Sequence, residues 1–172
     1  MTTSLSCAMP AGLELFRIDC PEDDNLPNIL ALSNTIFSAD RSTKHGSLLY
    51  WQNHLKHISS CIIYLAPTST PDKPVAFVFV IPRTTTPPLK NGATESLHIW
   101  LAGVLPECRA GGCFTRLMSE LGDADQLSVC TFPSRFPNMW RWLTSRGWVQ
   151  ERELGDGKIL LSKRRVAAQE SS

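Results

Sequence analysis

The chain has 172 residues, a formal net charge of +1 at pH 7, and 42% hydrophobic and 19% charged residues. This length and composition are ordinary for one globular domain with a substantial core. A net charge so close to zero argues against a nucleic-acid partner that is bound by summed charge. We find neither a basic leader with an apolar core nor an apolar run near the ~18 residues of a membrane span. Neither a secretory signal nor a membrane association is therefore predicted.

The first third of the chain predicts one strand and two helices. Residues 13–19 alternate apolar and polar side chains, as a half-buried strand does. Pro21 suits the first turn of a helix, and apolar residues recur at helical spacing up to about Ser38. A second helical stripe consists of Leu48, Trp51, Leu55 and Ile58.

The remaining elements are mostly strands. Runs of apolar, β-branched and aromatic residues predict strands at 60–65, 74–81 and 96–104. A helix over about 112–121, a strand at 127–132 and a helix from Pro137 to Gly147 follow. A Gly-Asp-Gly turn joins the strands of a terminal hairpin, 148–153 and 158–162. This order predicts an α/β (α+β) fold, with a mixed, mostly antiparallel sheet of about seven strands flanked by about four helices.

The cysteines favour a reducing compartment. Six are scattered along the chain, mostly within apolar segments, and none forms a C-x-x-C pair. This usage predicts buried free thiols and a cytoplasmic protein. No metal site is predicted, because His54 and His57 have helical spacing but no third ligand at a recognisable spacing. The cysteines are Cys7, Cys20, Cys61, Cys108, Cys113 and Cys130.

A strand that leads directly into a helix is the most informative part of the chain. The strand at 96–104 is followed by Pro106, and Arg109, Gly111 and Gly112 then open a helical pattern. Such a junction gathers backbone N–H groups and the positive end of a helix dipole. It therefore suits a phosphate or pyrophosphate group.

This junction resembles the signature of the GCN5-related N-acetyltransferase (GNAT) superfamily, V-x-P-x-x-[RQ]-x-x-G-x-[GA]. The chain matches it from Val104 to Gly112 and departs at Phe114, where the family has glycine or alanine. Pro137 through Gly147-Trp148 resembles the family's second motif, a helix that ends in a Gly-aromatic pair. The resemblance implies a GNAT domain over 13–162, preceded by an extension over 1–12 and followed by a polar tail over 163–172.

The resemblance implies acetyl-CoA as the co-substrate. Its pantetheine arm is expected to pair with the strand backbone, and its pyrophosphate to lie on N–H groups of the junction, with Arg109 neutralising charge. The bulky Phe114 either points into the helix–sheet interface or narrows the pocket. The expected pantetheine residues are Ala102, Gly103 and Val104, and the expected pyrophosphate residues are Arg109, Ala110, Gly111, Gly112, Cys113 and Phe114.

His98 is the predicted general base. It lies six residues before Val104, where histone-acetylating family members carry a glutamate and arylalkylamine acetyltransferases carry the first of two histidines. The second histidine corresponds to Trp100, so a two-histidine relay is not implied. Histidine titrates near neutral pH and can take the amine proton directly or through water. The alternative is a structural histidine whose hydrogen bonds are satisfied within an apolar strand.

The family's general acid is missing from its usual place. Leu143 occupies the position of the tyrosine that protonates the departing thiolate. Thr144, Ser145, Cys130 or water are possible substitutes. Cys113 near the helix start is interpreted as a packing residue rather than a nucleophile.

The resemblance predicts an N-acetyltransferase that acts on a small amine by direct attack in a ternary complex. Four aromatic residues are predicted to line the acceptor site, which would favour an aromatic or apolar amine, although each also suits a core. A monomer or homodimer is expected. The alternative function is that of a GNAT-fold protein without acetyltransferase activity, which binds a ligand or partner or performs other chemistry. The aromatic residues are Phe37, Tyr50, Trp51 and Trp100.

Overall fold

The computed structural model describes residues 12–37 and 46–165, and within these ranges seven strands form one sheet. The strands are β1 (Leu13–Ile18), β2 (Cys61–Pro67), β3 (Ala76–Thr84), β4 (Glu95–Val104), β5 (Gln126–Thr131), β6 (Val149–Glu153) and β7 (Ile159–Arg164). The helices are α1 (Leu26–Ile36), α2 (Leu48–Leu55), α3 (Cys113–Ser119) and α4 (Pro137–Ser145), and a 3-10 turn covers Pro106–Cys108.

The sheet order is β1-β2-β3-β4-β5-β7-β6. Antiparallel registers join β1 to β2, β2 to β3, β5 to β7 and β6 to β7, whereas β4 and β5 are parallel. The parallel pair requires a crossover, and the chain segment that contains α3 provides it. The predicted mixed, mostly antiparallel fold with about four helices is confirmed.

Helix α1 begins at Leu26 rather than at the predicted Pro21. The reason is Pro27, which lies in the first turn, where its missing N–H breaks no helical hydrogen bond. Before it, the Asp23 carboxylate accepts the N–H of Asn25 at 2.8 Å and stabilises a turn. Because proline is tolerated in the first turn and not in a helix interior, Pro27 is the better start signal.

Two other boundaries differ from the sequence pattern. Helix α2 ends at Leu55, so Ile58, the last member of the predicted stripe, is 92% exposed. Strand β7 extends into the predicted polar tail, because Lys163 and Arg164 pair with the first residues of β5. The rest of that tail, from residue 166, and all but the last residue of the predicted 1–12 extension lie outside the described residues.

The chain forms two compact units, of which the first comprises the residues up to Val80 together with Leu101–Leu121. Its core contains the fully buried Trp51, whose ring centroid lies 6.0 Å from that of Phe77 and 5.2 Å from that of Phe79. Three aromatic rings from α2 and β3 thus form the centre of this unit.

The second unit comprises Ile81–Trp100 and the residues from Gly122 onward. The long β3–β4 connection in this unit is held by polar contacts, since the backbone N–H of Lys90 donates to Glu151 Oε2 at 2.7 Å. The unit's core includes Leu127, Leu143, Leu160 and Leu161.

Two further observations concern the helices and the cysteines. None of the helices in the described ranges has the length and apolar run that a bilayer span needs. The five cysteines in these ranges are free thiols, as predicted, but Cys20 is exposed rather than buried. Cys7 lies outside the described residues.

Candidate active site

The strand-to-helix junction lies in the first unit and has an unusual backbone. Ala110 has φ of 66° and Gly112 has φ of 76°, with Gly111 between them outside the left-handed region. Arg109, just before them, is extended, and the first N–H groups of α3 just after them have no acceptor within the helix. We call residues 109–112 the glycine turn. An alanine in the left-handed region costs about 1 kcal/mol, and such strain is concentrated at functional sites.

The glycine turn leads into α3 without a capping side chain. Gly112 is the N-cap residue and offers no side-chain acceptor, whereas Ser47 at the start of α2 accepts the N–H of Tyr50 at 3.3 Å. A Cβ added to Gly112 would meet no atom within 4 Å, so the space beside the turn is open. An uncapped helix start with open space beside it can accommodate an anionic ligand.

Three predicted cofactor residues near the glycine turn have different local roles. Arg109 is exposed, and its Nε donates to the carbonyl oxygen of Val104 at 3.1 Å, which holds the guanidinium beside the end of β4. Cys113 is buried, and burial raises the pKa of its thiol. A protonated buried thiol fits packing better than nucleophilic chemistry. Phe114 is half-buried.

The end of β4 shows why glycine is needed at position 103. A Cβ there would lie 2.9 Å from Ile36 Cδ1 and 3.5 Å from Phe77 Cε1. Glycine therefore allows the end of α1 to pack directly on the strand. Its neighbours Ala102 and Val104, on the opposite face of the strand, are half-buried.

His98 lies in the second unit and is buried in a chain of hydrogen bonds. Its Nδ1 is 2.8 Å from Ser128 Oγ, which is 2.7 Å from Ser96 Oγ. Arg83 Nη1 lies 3.2 Å from His98 Nε2 and also donates to Cys130 Sγ at 3.3 Å. We call these five residues the His98 cluster.

The shorter contacts of His98 favour one neutral tautomer. Arg83 Nη1 lies 3.2 Å from Nε2 and 3.5 Å from Nδ1, and because arginine can only donate, the shorter contact favours an unprotonated Nε2. The ring proton is then on Nδ1 and is donated to Ser128. The basic lone pair of His98 is therefore occupied by a cationic donor.

The electrostatic environment strongly disfavours the charged form of His98. Burial, followed by the positive charges of Arg83 and Lys158, lowers its pKa to about 3. At neutral pH the imidazole is therefore uncharged, and its affinity for a further proton is low.

The sequence alone identifies His98 but not its partners. Ser96 lies two residues before His98 in β4. Because alternate residues of a strand lie on the same face, the sequence could have indicated Ser96 as a neighbour of His98. Ser128 lies opposite His98 because of the parallel register between β4 and β5. That register and the position of Arg83 depend on tertiary structure, so no local pattern indicates them.

The possible general acids are engaged elsewhere. Leu143 is fully buried in the core of its unit. Thr144 Oγ1 donates to the carbonyl of Trp140 at 2.9 Å, and Ser145 Oγ donates to that of Trp142 at 3.0 Å. Both hydroxyl protons are thus used within α4, while Cys130 is half-buried beside Arg83.

The predicted acceptor residues have different environments. Trp51 is 0% exposed, so the structure places it in the core and corrects its assignment to a ligand-facing wall. Tyr50 is 48% exposed and makes an edge contact with His54, with ring centroids 4.7 Å apart. Phe37 and Trp100 are half-buried. Tyr50 and Phe37 belong to the first unit and Trp100 to the second.

No group of three potential metal-binding side chains occurs within residues 12–37 and 46–165. Burial lowers the pKa of His54, followed by a smaller effect of the nearby His57. Within the described ranges, the two histidines have no third side chain beside them that would complete a metal site.

The seven-stranded sheet, the parallel β4–β5 pair and the α3 junction are the fold of the GNAT superfamily. The family resemblance in the sequence is thus confirmed at the level of the fold. A GNAT-family acetyltransferase from Staphylococcus aureus matches with a TM-score of 0.65 at 8% sequence identity, over 90% of this chain and 100% of that chain.

Two other solved structures extend the comparison. An aminoglycoside acetyltransferase from an uncultured soil metagenomic sample, in complex with sisomicin, has a TM-score of 0.59 and 12% identity over 83% of this chain and 92% of that chain. The NatC complex bound to Gag peptide and CoA gives a TM-score of 0.61 and 13% identity over 90% and 99% of the two chains. No family model and no curated relative matches the sequence.

Proposed function

We propose that this protein transfers an acetyl group from acetyl-CoA to a small amine. The observation that carries the proposal is the glycine turn, whose two left-handed residues lead into a helix start without a side-chain cap, at the position where the GNAT signature predicts a pyrophosphate site. The similar structures include one described with CoA and one aminoglycoside acetyltransferase described with sisomicin. Free thiols in the described ranges support the accompanying proposal of a cytoplasmic location.

The proposed co-substrate site uses backbone groups of the first unit. The N–H groups of residues 110–112 and of the start of α3 would hold the pyrophosphate, whereas the N–H of Arg109 donates to the carbonyl of Pro106 at 3.3 Å and its side chain lies at the same turn to offset the charge. The backbone of Ala102, Gly103 and Val104 would pair with the pantetheine arm. The parallel register with β5 ends at Ile99, five residues before the end of β4, which supports this assignment.

The proposed reaction is a direct acyl transfer. Bound acetyl-CoA supplies an activated thioester. The unprotonated amine attacks the carbonyl carbon, so that a C–N bond forms and the C–S bond breaks. His98 is the proposed acceptor of the amine proton, and water is the proposed donor to the leaving thiolate because the hydroxyls of α4 are occupied.

The base role places a requirement on the bound complex. With a pKa of about 3, His98 is always in the unprotonated form that a base needs, but it binds a proton weakly. The bound acceptor must therefore draw Arg83 Nη1 away from Nε2, which frees the lone pair and reduces the effect of the guanidinium charge, if His98 is to take the proton. The buried Leu143 favours the alternative function, a GNAT-fold protein that binds a ligand without transferring acetyl groups.

Gly112→Ala is expected to weaken CoA binding about tenfold, because the methyl group occupies the open space and the left-handed φ strains the turn. Gly92→Ala is the matched control, since Gly92 also has a positive φ and a Cβ added there would meet no atom within 4 Å. Both variants are expected to lose about 1 kcal/mol of unfolding free energy.

Calorimetric titration with CoA measures the difference between these glycine variants. Equal affinities in the two variants, or an absence of saturable CoA binding by the unmodified protein at millimolar concentration, contradict the proposed site. CoA binding, without thiol release from acetyl-CoA in the presence of an amine panel, supports the binding-only alternative.

His98→Ala is expected to lower the acetylation rate about 100-fold at pH 7 while leaving CoA affinity unchanged. The loss is expected to shrink toward pH 9, because more of the amine is then unprotonated and needs no base. Initial rates of thiol release between pH 6 and 9 test this expectation. Acetylation at the parent rate across that range would show that His98 is structural.

A further inference from the structure

Within the described part of the chain, Arg83 is a half-buried cation without an anionic partner. Its hydrogen bonds there are all made by Nη1, which approaches His98 and Cys130. Across residues 12–37 and 46–165, no carboxylate lies within ion-pair distance of its guanidinium. Its Nε and Nη2, which form one planar fork, have no partner in these ranges. The geometry of such a fork matches the two oxygens of a carboxylate or phosphate.

A second cation strengthens the positive potential at this place. Lys158 contributes to the low pKa of His98, and among the described residues no carboxylate offsets either cation there. Its Nζ lies 5.9 Å from the ring centroid of Phe132. The two residues are neighbours because Phe132 follows Thr131 and Lys158 precedes Ile159, and Thr131 and Ile159 are paired in the sheet. Arg135 also lies over this ring, at 4.8 Å from its centroid, so the second unit combines three cations, an aromatic ring and a buried histidine.

Here we propose that Arg83 binds a carboxylate of the acceptor, so that the acceptor is an amine that also carries an acid group, as an amino acid does. The inference rests on the proposed acetyltransferase function and names its substrate class. The Nε and Nη2 fork matches the two oxygens of a carboxylate, and turning the guanidinium toward that carboxylate would release His98 Nε2 from Nη1. Lys158 adds attraction without fixing orientation, and Phe132 offers an apolar surface.

Matched acceptor pairs test this assignment. In a panel of apolar and aromatic amino acids, each is paired with its carboxamide, and rates are compared per unprotonated amine because losing the nearby carboxylate also lowers the pKa of the amine. The unmodified protein is expected to acetylate the acids with kcat/KM about tenfold higher than the amides, since a charge-assisted bidentate pair is lost in the amide. Arg83→Gln is expected to abolish this ratio, chiefly through KM for the acid.

Two further variants separate charge from geometry. Arg83→Lys keeps the charge and loses the fork, so an intermediate ratio is expected. Arg141→Gln is the control, because Arg141 is an exposed arginine of the same unit, bonded to Asn138 at 2.8 Å, and it should keep the full ratio. Thermal unfolding of each variant verifies that it is folded.

The outcomes distinguish this inference from the proposed function. If the protein binds CoA but acetylates acids and amides equally well, the role of Arg83 is overturned and the proposed acetyltransferase function stands. The same holds if the acid-to-amide ratio of kcat/KM persists in Arg83→Gln. A loss of CoA affinity in Arg83→Gln assigns the guanidinium to a CoA phosphate and also overturns it. If the unmodified protein does not bind CoA, the proposed function fails. Saturation-transfer NMR with the same pairs then decides whether Arg83 binds the acids.

Discussion

Lowering the pH from 7 to 4 is expected to destabilise the native protein more than its His98→Asn variant. The folded-state pKa of His98 is about 3, below the ordinary value of 6.5 that holds in the unfolded chain. Above pH 6.5 both states carry a neutral imidazole, and this group adds no pH dependence. Between pH 6.5 and 3 the unfolded chain binds a proton that the native protein does not, so stability falls as the pH falls.

The expected size of this effect is large. The unfolding free energy should decrease by about 1.4 kcal/mol per pH unit below pH 6.5, and by a total on the order of 5 kcal/mol near pH 3. Asparagine can donate to Ser128 as Nδ1 does but does not titrate. Urea unfolding of both proteins at pH 7, 6, 5 and 4 isolates the histidine, because their shared carboxylates largely cancel in the difference. Parallel curves for the two proteins would contradict the burial of a neutral imidazole.

Trp51→Ala is expected to cost about 3–5 kcal/mol of unfolding free energy. The ring is fully buried against Phe77 and Phe79, so its removal leaves a cavity at the centre of the first unit. Trp51→Phe should recover part of the loss, because a smaller aromatic ring fills part of the same space. Chemical denaturation measures both variants.

The neighbouring tyrosine provides the control for this core assignment. Tyr50 is 48% exposed, so Tyr50→Ala should cost no more than about 1 kcal/mol, mostly from its edge contact with His54. If Trp51→Ala left stability unchanged and instead raised the KM of an acceptor, Trp51 would line a binding site after all. The contrast between adjacent residues on one helix makes the two roles separable.

The fold was largely predictable because its signals are local. Alternating apolar and polar residues predict β1, and apolar residues at helical spacing predict α2. Gly147, with φ of 79°, follows the end of α4. The start of α1 was predicted too early because Pro21 and Pro27 both suit a first turn, and packing of the buried Leu26 and Ile29 selects the second.

The candidate site was predictable only in part. The signature places the glycine turn because a short backbone segment carries it. The partners of His98 come from β3 and β5, so their approach depends on register and long-range folding. Helical spacing does separate Trp51, a member of the second apolar stripe, from Tyr50, so the stripe indicated burial better than the aromatic character that both residues share. Arg83 gave no sequence signal, because what sets it apart is the absence of a neighbouring carboxylate in the described ranges.

The contact between Arg83 Nη1 and His98 Nε2 has a consequence for selectivity. An acceptor carboxylate on the guanidinium would offset one of the two positive charges that lower the proton affinity of the imidazole. Such a substrate would bring with it the counter-charge that its own deprotonation requires. An amine without the acid group would meet an imidazole whose proton affinity is unchanged, so discrimination would reach the chemical step as well as binding.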